Sequence, residues 1–138
     1  MHITRQADYA LRAVLYLARL KDNELAATSV MAREQSIPPS FLAKIISQLS
    51  VVGLLHTARG ARGGVSLARD PKDITLLDVV EAVDGPIQLN VCVGSRRVCG
   101  FEDDCPLQTV WCDMQNELVT RLRTTTFAQM VAQERMAT

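Results

Sequence analysis

The segment from Ile37 to Gly53 constrains this chain more than any other. It opens Ile37-Pro38-Pro39-Ser40 and closes on a glycine. Proline has a fixed φ and no N–H, so it cannot extend the helix before it, yet it suits the first turn of the helix after it. A glycine just past a helix accepts the left-handed conformation that ends it. A helix from about Ser40 to Val52 is therefore predicted. Phe41, Leu42, Ile45, Ile46 and Leu49 are expected to face inward, and Ser40, Lys44, Ser47 and Gln48 outward. A shorter helix over 28–35, with Thr28 or Ser29 as N-cap, precedes the turn. Helix, tight turn, helix is the frame of a helix-turn-helix unit.

The texture then changes. Leu54-Leu55-His56-Thr57-Ala58 and Val65-Ser66-Leu67-Ala68 read as short strands around Arg59-Gly60-Ala61-Arg62-Gly63-Gly64. That is a β-hairpin with a basic, glycine-rich tip, closed by Asp70-Pro71. Upstream, residues 5–20 carry Ala10, Leu11, Val14, Leu15, Leu17 and Ala18 at helical spacing. Downstream, 75–83 form a short helix beginning near Thr75 and ended by Asp84-Gly85-Pro86. Residues 87–104 show no clear period, and so long a loop in a compact domain is a candidate functional segment. Pro106 opens a long helix to about Arg123, whose stripe Leu107, Trp111, Met114, Leu118 and Leu122 resembles a coiled-coil seam. Phe127, Met130 and Val131 mark a last short helix.

The predicted fold class is mainly α with a small β-hairpin. It is a winged helix-turn-helix over 1–86, a cysteine-bearing loop over 87–105, and a dimerisation helix with a C-terminal helix over 106–138.

Such an order suits double-stranded DNA. A helix fits the major groove and presents polar side chains to base edges. Ser40, Lys44, Ser47 and Gln48 share one such face. Arg59 and Arg62 sit on a tip that can follow phosphates or enter the minor groove, and Gly60, Gly63 and Gly64 permit its turn and close approach. Net charge is zero over 138 residues, but it is divided. Residues 1–70 hold nine Lys/Arg against five Asp/Glu, +4, whereas 71–138 hold six against ten, −4. A basic N-terminal part fits a nucleic-acid partner. A thiol-redox enzyme is disfavoured, since neither a CxxC dithiol nor a Cys–His–acid set is evident. No apolar run is long enough to span a membrane, and Met1-His2-Ile3-Thr4-Arg5 leads straight into an amphipathic pattern, so a cytoplasmic location is expected.

Cys92, Cys99, Cys105 and Cys112 fall within 21 residues. Reducing compartments disfavour disulfides, so the cluster reads as a metal or redox site. Its spacing is wider than the paired knuckles of a zinc ribbon, and thiolates hold both iron–sulfur clusters and zinc. Cys112 follows Cys105 by two helical turns, about 10.5 Å of rise, and is set aside as a buried or spare thiol. Of the two histidines, His2 is at the N-terminal end and His56 on the hairpin.

Ile3-Thr4, Asp8-Tyr9-Ala10-Leu11-Arg12-Ala13, Ile37-Pro38, Gly53-Leu54, Arg59-Gly60, Gly63-Gly64 and three cysteines before a Trp111-bearing helix together resemble the Rrf-type family of bacterial winged-helix regulators. The resemblance spans nearly the whole chain. It implies a homodimeric transcription regulator joined by the long helix, with Cys92, Cys99 and Cys105 binding an iron–sulfur cluster. A fourth ligand would come from the first helix of the partner subunit, and Asp8 matches the aspartate of the NsrR-like branch. The IscR-like branch uses a histidine shortly after the third cysteine; Leu107 stands near that point here. Two further departures are the six-residue gap between Cys92 and Cys99 and Val65 in place of an aromatic after the glycines. By the same resemblance, 4Fe–4S is favoured over 2Fe–2S, and the signal would be iron, redox state or nitric oxide. The alternative is a winged-helix repressor with zinc or no metal, responding to a small molecule or to thiol oxidation.

Overall fold

The computed structural model describes residues 2–21, 24–94 and 105–137. In chain order its elements are α1 (Arg5–Arg19), α2 (Thr28–Glu34), α3 (Pro39–Val51), β1 (Leu55–Ala58), β2 (Gly64–Leu67), α4 (Leu76–Asp84), α5 (Val91–Gly94), α6 (Pro106–Thr124) and α7 (Phe127–Ala137). A 3-10 turn, Pro71–Asp73, lies between β2 and α4. The chain is mainly helical with one small hairpin, as its pattern predicts.

The turn between α2 and α3 and the end of α3 are built alike. Past α3, Gly53 has φ 78°, its N–H bonds to the Ser50 carbonyl at 3.1 Å, and the Leu54 N–H reaches the Leu49 carbonyl at 2.9 Å. Past α2, Ser36 has φ 53°, its N–H bonds to Arg33 O at 3.3 Å, and the Ile37 N–H bonds to Ala32 O at 2.9 Å. Both are Schellman motifs, satisfying helix-end carbonyls that would otherwise be orphaned. Ile37 and Leu54, the residues that follow, are buried.

One apolar cluster joins the helices. Ala10, Val14, Met31, Leu42, Ile45, Leu49, Val65, Ile74, Val79 and Phe127 all belong to it. α1 packs against α3, α4 and α7. Thr4 caps α1 by accepting from the Ala7 N–H at 3.1 Å, and its hydroxyl donates to the Asp84 carboxylate at 2.7 Å. One hydroxyl thus fastens the start of α1 to the end of α4.

β1 and β2 are antiparallel, with Leu55 opposite Leu67 and Ala58 opposite Gly64. Ala26 adds a two-bond bridge to Val65, each N–H reaching the other carbonyl at 2.9 Å. That bridge explains Gly64: a Cβ there would lie 2.5 Å from the Ala26 oxygen.

α6 has no buried residue, yet it is fixed at both ends. Near its start, the Gln108 side-chain amide donates to Cys92 O at 3.3 Å, and at its middle Gln115 Oε1 accepts from the Leu89 N–H at 2.8 Å. Beyond its end, the Leu76 N–H bonds to Thr125 O at 3.0 Å and the Phe127 N–H to Ile74 O at 3.1 Å. α7 then turns back onto the head. Phe127 is fully buried, and Arg19 of α1 donates from Nε to Glu134 at 2.8 Å.

Three expectations need correcting. Phe41, expected in the core, is 45% exposed: it lies at the edge of the α3 apolar face, where its ring meets Tyr9 edge-on. Neither Thr28 nor Ser29 is the N-cap of α2; that position is Ala27, with no side-chain bond, because the Ala26 bridge to the hairpin sets where the chain can start to coil. The stretch from 87 is not wholly irregular, since α5 forms a single turn there. Among the described residues, no helix is long and apolar enough to cross a membrane.

Candidate nucleic-acid interface and cysteine site

On α3, Ser40, Lys44 and Ser47 are exposed. Gln48 is half-buried, because its Oε1 accepts from Gln6 Nε2 of α1 at 2.8 Å. The helical face predicted from spacing therefore exists, but one of its members is shared with α1. Gln6 was not singled out in the sequence. It follows Arg5 at the start of α1, and nothing in its spacing reports the contact. Two residues beyond that, Asp8 is exposed and pairs with Arg12 at 3.0 Å. Arg12 also donates to the Gln35 carbonyl at 3.1 Å, inside the helix-turn-helix turn, and lies 5.0 Å from the centroid of the Tyr9 ring.

The hairpin tip carries Arg59, Gly60 and Arg62, all exposed. Gly60 has φ 102°, a conformation open to glycine at no steric cost, and its carbonyl accepts from the Gly63 N–H at 2.9 Å. Gly63 has no room for a side chain: a Cβ would sit 2.1 Å from the Ala58 oxygen. The two glycines hold the arginines on a short, firm tip. His56 is exposed on β1, far in sequence from the cysteines.

Cys92 lies in α5 and Cys105 is the N-cap residue of α6, without a side-chain capping bond. Both are half-buried free thiols. Gln108 ties them together: its backbone N–H reaches Cys105 O at 3.1 Å and its side-chain amide reaches Cys92 O at 3.3 Å. The described residues thus bring the backbones of two of the three cysteines expected as ligands to the start of one helix. Such a terminus favours negative charge, and thiolates suit soft metals and iron–sulfur groups, so these two residues fit such a group by their chemistry. Cys99 lies outside the described residues, and no group of three or more His, Cys, Asp or Glu is assembled among those described. Cys112 is a half-buried free thiol further along α6.

The predicted seam divides unequally. Leu107 and Met114 are 62% and 46% exposed, while Trp111, Leu118 and Leu122 are half-buried. Val110, outside the predicted seam, is 51% exposed beside them.

Residues 3–133 match the model of the Rrf2 family, described as an iron-dependent transcriptional regulator. The chain belongs to this family. The Rrf2 assignment makes it a transcription regulator and not an enzyme, with the winged-helix architecture described above. It is 31% identical over 125 residues, 89% of its length and 86% of the other's, to a chain of Aquifex aeolicus named for an HTH-type transcriptional regulator. Among solved structures, the B. subtilis global cysteine regulator CymR matches with a TM-score of 0.80 and 23% identity, covering 96% of this chain and 97% of that one. T. potens IscR matches with a TM-score of 0.81 and 23% identity, covering 99% and 90%. At that identity the two structures support the Rrf2 fold alone.

Proposed function

We propose that this Rrf2-family regulator binds duplex DNA as a homodimer and holds an iron–sulfur cluster that governs that binding. The observation that carries the reading is a winged-helix head with Ser40, Lys44 and Ser47 exposed on α3 and Arg59 and Arg62 exposed at the hairpin tip. α3 would read base edges with Gln48 as a tethered fourth member, and Gly60 would let Arg59 and Arg62 approach the backbone or the minor groove. The head is assigned to 1–86, the cysteine loop to 87–105, and the dimerisation helix and the C-terminal helix to 106–138, with α7 of that last part packed back onto the head.

The second copy is drawn from α6. A helix of 19 residues with no buried side chain and with Leu107, Val110 and Met114 open to solvent leaves apolar area to cover. Trp111, Leu118 and Leu122 would complete that contact.

For the cluster, the ligands proposed are Cys92, Cys99, Cys105 and Asp8, with Asp8 supplied by the partner subunit. When bound, the cluster supplies a centre that reacts with oxidants and nitric oxide, and the Asp8 match favours 4Fe–4S. Gln108 holds the Cys92 and Cys105 backbones together at the start of α6. Asp8 would exchange its Arg12 partner for an iron, one cation for another, so the ligation does not strand a bare carboxylate. The family's description as iron-dependent supports this reading, and the location that goes with it is the cytoplasm, where thiols are kept reduced.

The test is anaerobic purification with visible absorbance, iron and sulfide analysis, and duplex binding across a salt series. Iron and sulfide should copurify with the wild type and be lost on joint replacement of Cys92, Cys99 and Cys105. Asp8→Ala should weaken cluster retention. Replacing Arg59 and Arg62 by alanine should reduce the salt slope by about 0.9 per lost phosphate contact. Colourless protein containing zinc, or DNA affinity untouched by the triple replacement under every redox condition, would refute the cluster role.

A further inference from the structure

Phe41 stands in the first turn of α3, next to Ser40 and one turn before Lys44, and it is 45% exposed. Phe41, Lys44 and Gln48 follow at i, i+3 and i+7 and so form one stripe along the helix. An open phenyl ring amid polar readers is an unusual use of that position. The ring is also held: Tyr9 meets it edge-on, with centroids 5.9 Å apart and planes 69° apart. Tyr9 is buried, and the Arg12 guanidinium lies against its ring. A side chain fixed before binding loses little rotamer freedom on contact.

We propose that Phe41 is a specificity-determining residue that contacts the C5-methyl group of a thymine in the major groove. This rests on the DNA-binding reading above. The thymine methyl is the apolar mark that base pairs present in that groove, and Phe is among the side chains that match it. The first residues of a recognition helix are those that reach base edges. The charge around Phe41 points the same way. Lys44 follows on its own stripe, and the first 70 residues carry nine basic side chains against five acidic ones. Ser40 and Lys44 supply hydrogen bonds, which favour base edges or phosphates. Phe41 adds a contact that distinguishes thymine from cytosine by its methyl group.

The experiment selects binding sites for the full chain from a randomised duplex library. The selected site is then resynthesised with each thymine replaced in turn by deoxyuridine, which removes only the methyl. The wild type should lose about fourfold in affinity at one or two thymines, the worth of one buried carbon. Phe41→Ala should bind the thymine and uracil forms of those positions equally. Phe41→Leu should keep part of the discrimination, and it serves as the comparison should the alanine variant not fold. Equal affinity of the wild type for every uracil-substituted site overturns the proposal. So does a methyl preference that Phe41→Ala and Phe41→Leu both retain in full, which would leave the ring to a protein contact. Failure of the wild type to select any duplex would sink the DNA-binding reading first, and the role of Phe41 with it.

Discussion

Thr75 and Thr126 face one another across an isolated antiparallel bridge, and each caps the helix that follows it. Thr75 accepts from the Asp78 N–H at 3.1 Å while Asp78 accepts from the Thr75 N–H at 2.9 Å. Thr126 does the same with Gln129, at 3.2 and 2.8 Å. Two capping boxes thus start α4 and α7 from one paired point, which is also where α6 ends. Thr75→Ala and Thr126→Ala should each destabilise the fold by about 1 kcal/mol. Urea unfolding should show lower midpoints at unchanged slope. Serine at either position should recover most of the loss.

Ser36 occupies the left-handed region at φ 53°, in the Schellman turn that sets α2 against α3. An L side chain there costs roughly 1–2 kcal/mol, part of which glycine returns through the greater freedom it gives the unfolded chain. Ser36→Gly should therefore raise stability by up to about 1 kcal/mol, read as a higher melting temperature. A lower melting temperature would mean that the Ser36 hydroxyl contributes more than its backbone conformation costs.

Gly63 and Gly60 should respond differently to alanine. At Gly63 the new Cβ would strike the Ala58 carbonyl oxygen, which is backbone and cannot rotate away. At Gly60 nothing lies within 4 Å, and the penalty is confined to its φ of 102°. Gly63→Ala should destabilise by about 1–3 kcal/mol and lower DNA affinity by distorting the tip that carries Arg59 and Arg62. Gly60→Ala should be the milder change in both measurements.

Glu134 provides a pH dependence. Its hydrogen bond to Arg19, with the charge of that guanidinium, holds the carboxyl below its ordinary value of 4.5. A carboxyl with a lowered folded pKa stabilises the fold fully above its unfolded pKa, and the contribution fades as pH falls through the folded one. The difference in stability between wild type and Glu134→Gln should be constant near neutrality and shrink below pH 4.5. Melting temperatures across an acid series check this. A difference that grows on acidification would contradict it.

The helices and hairpin were legible because each depends on local chemistry. Pro38, Pro39 and Gly53 mark α3 by backbone rules that act within a turn or two, and the strand alternation around Arg59–Gly64 does the same for the hairpin. What escaped was set by partners distant in sequence. Periodicity places Phe41 inward because it borders the apolar face; its 45% exposure is decided by tertiary packing beside Tyr9. Gln48 appeared as a free reader until Gln6, 42 residues away, engaged it. The N-cap of α2 depended on the Ala26 bridge to Val65, which no local signal announces. Cys92 and Cys105 were recognisable as ligand types, but their link through Gln108 requires α5, a single turn too short to carry a period.

The burial of Phe127 also bears on the order in which the chain matures. Its ring is wholly enclosed in a core that, apart from Val131 and Met130 of its own helix, is supplied by residues that precede it by many tens of positions. Synthesis delivers α1 to α4 first, and the site that Phe127 fills stays open until α7 emerges. The early head should thus remain loosened, an incomplete solid whose last piece arrives with the other side of the molecule. A polypeptide interrupted before α7 would not be a smaller regulator. It would be an unfinished one, open to degradation before it could compete with the intact protein.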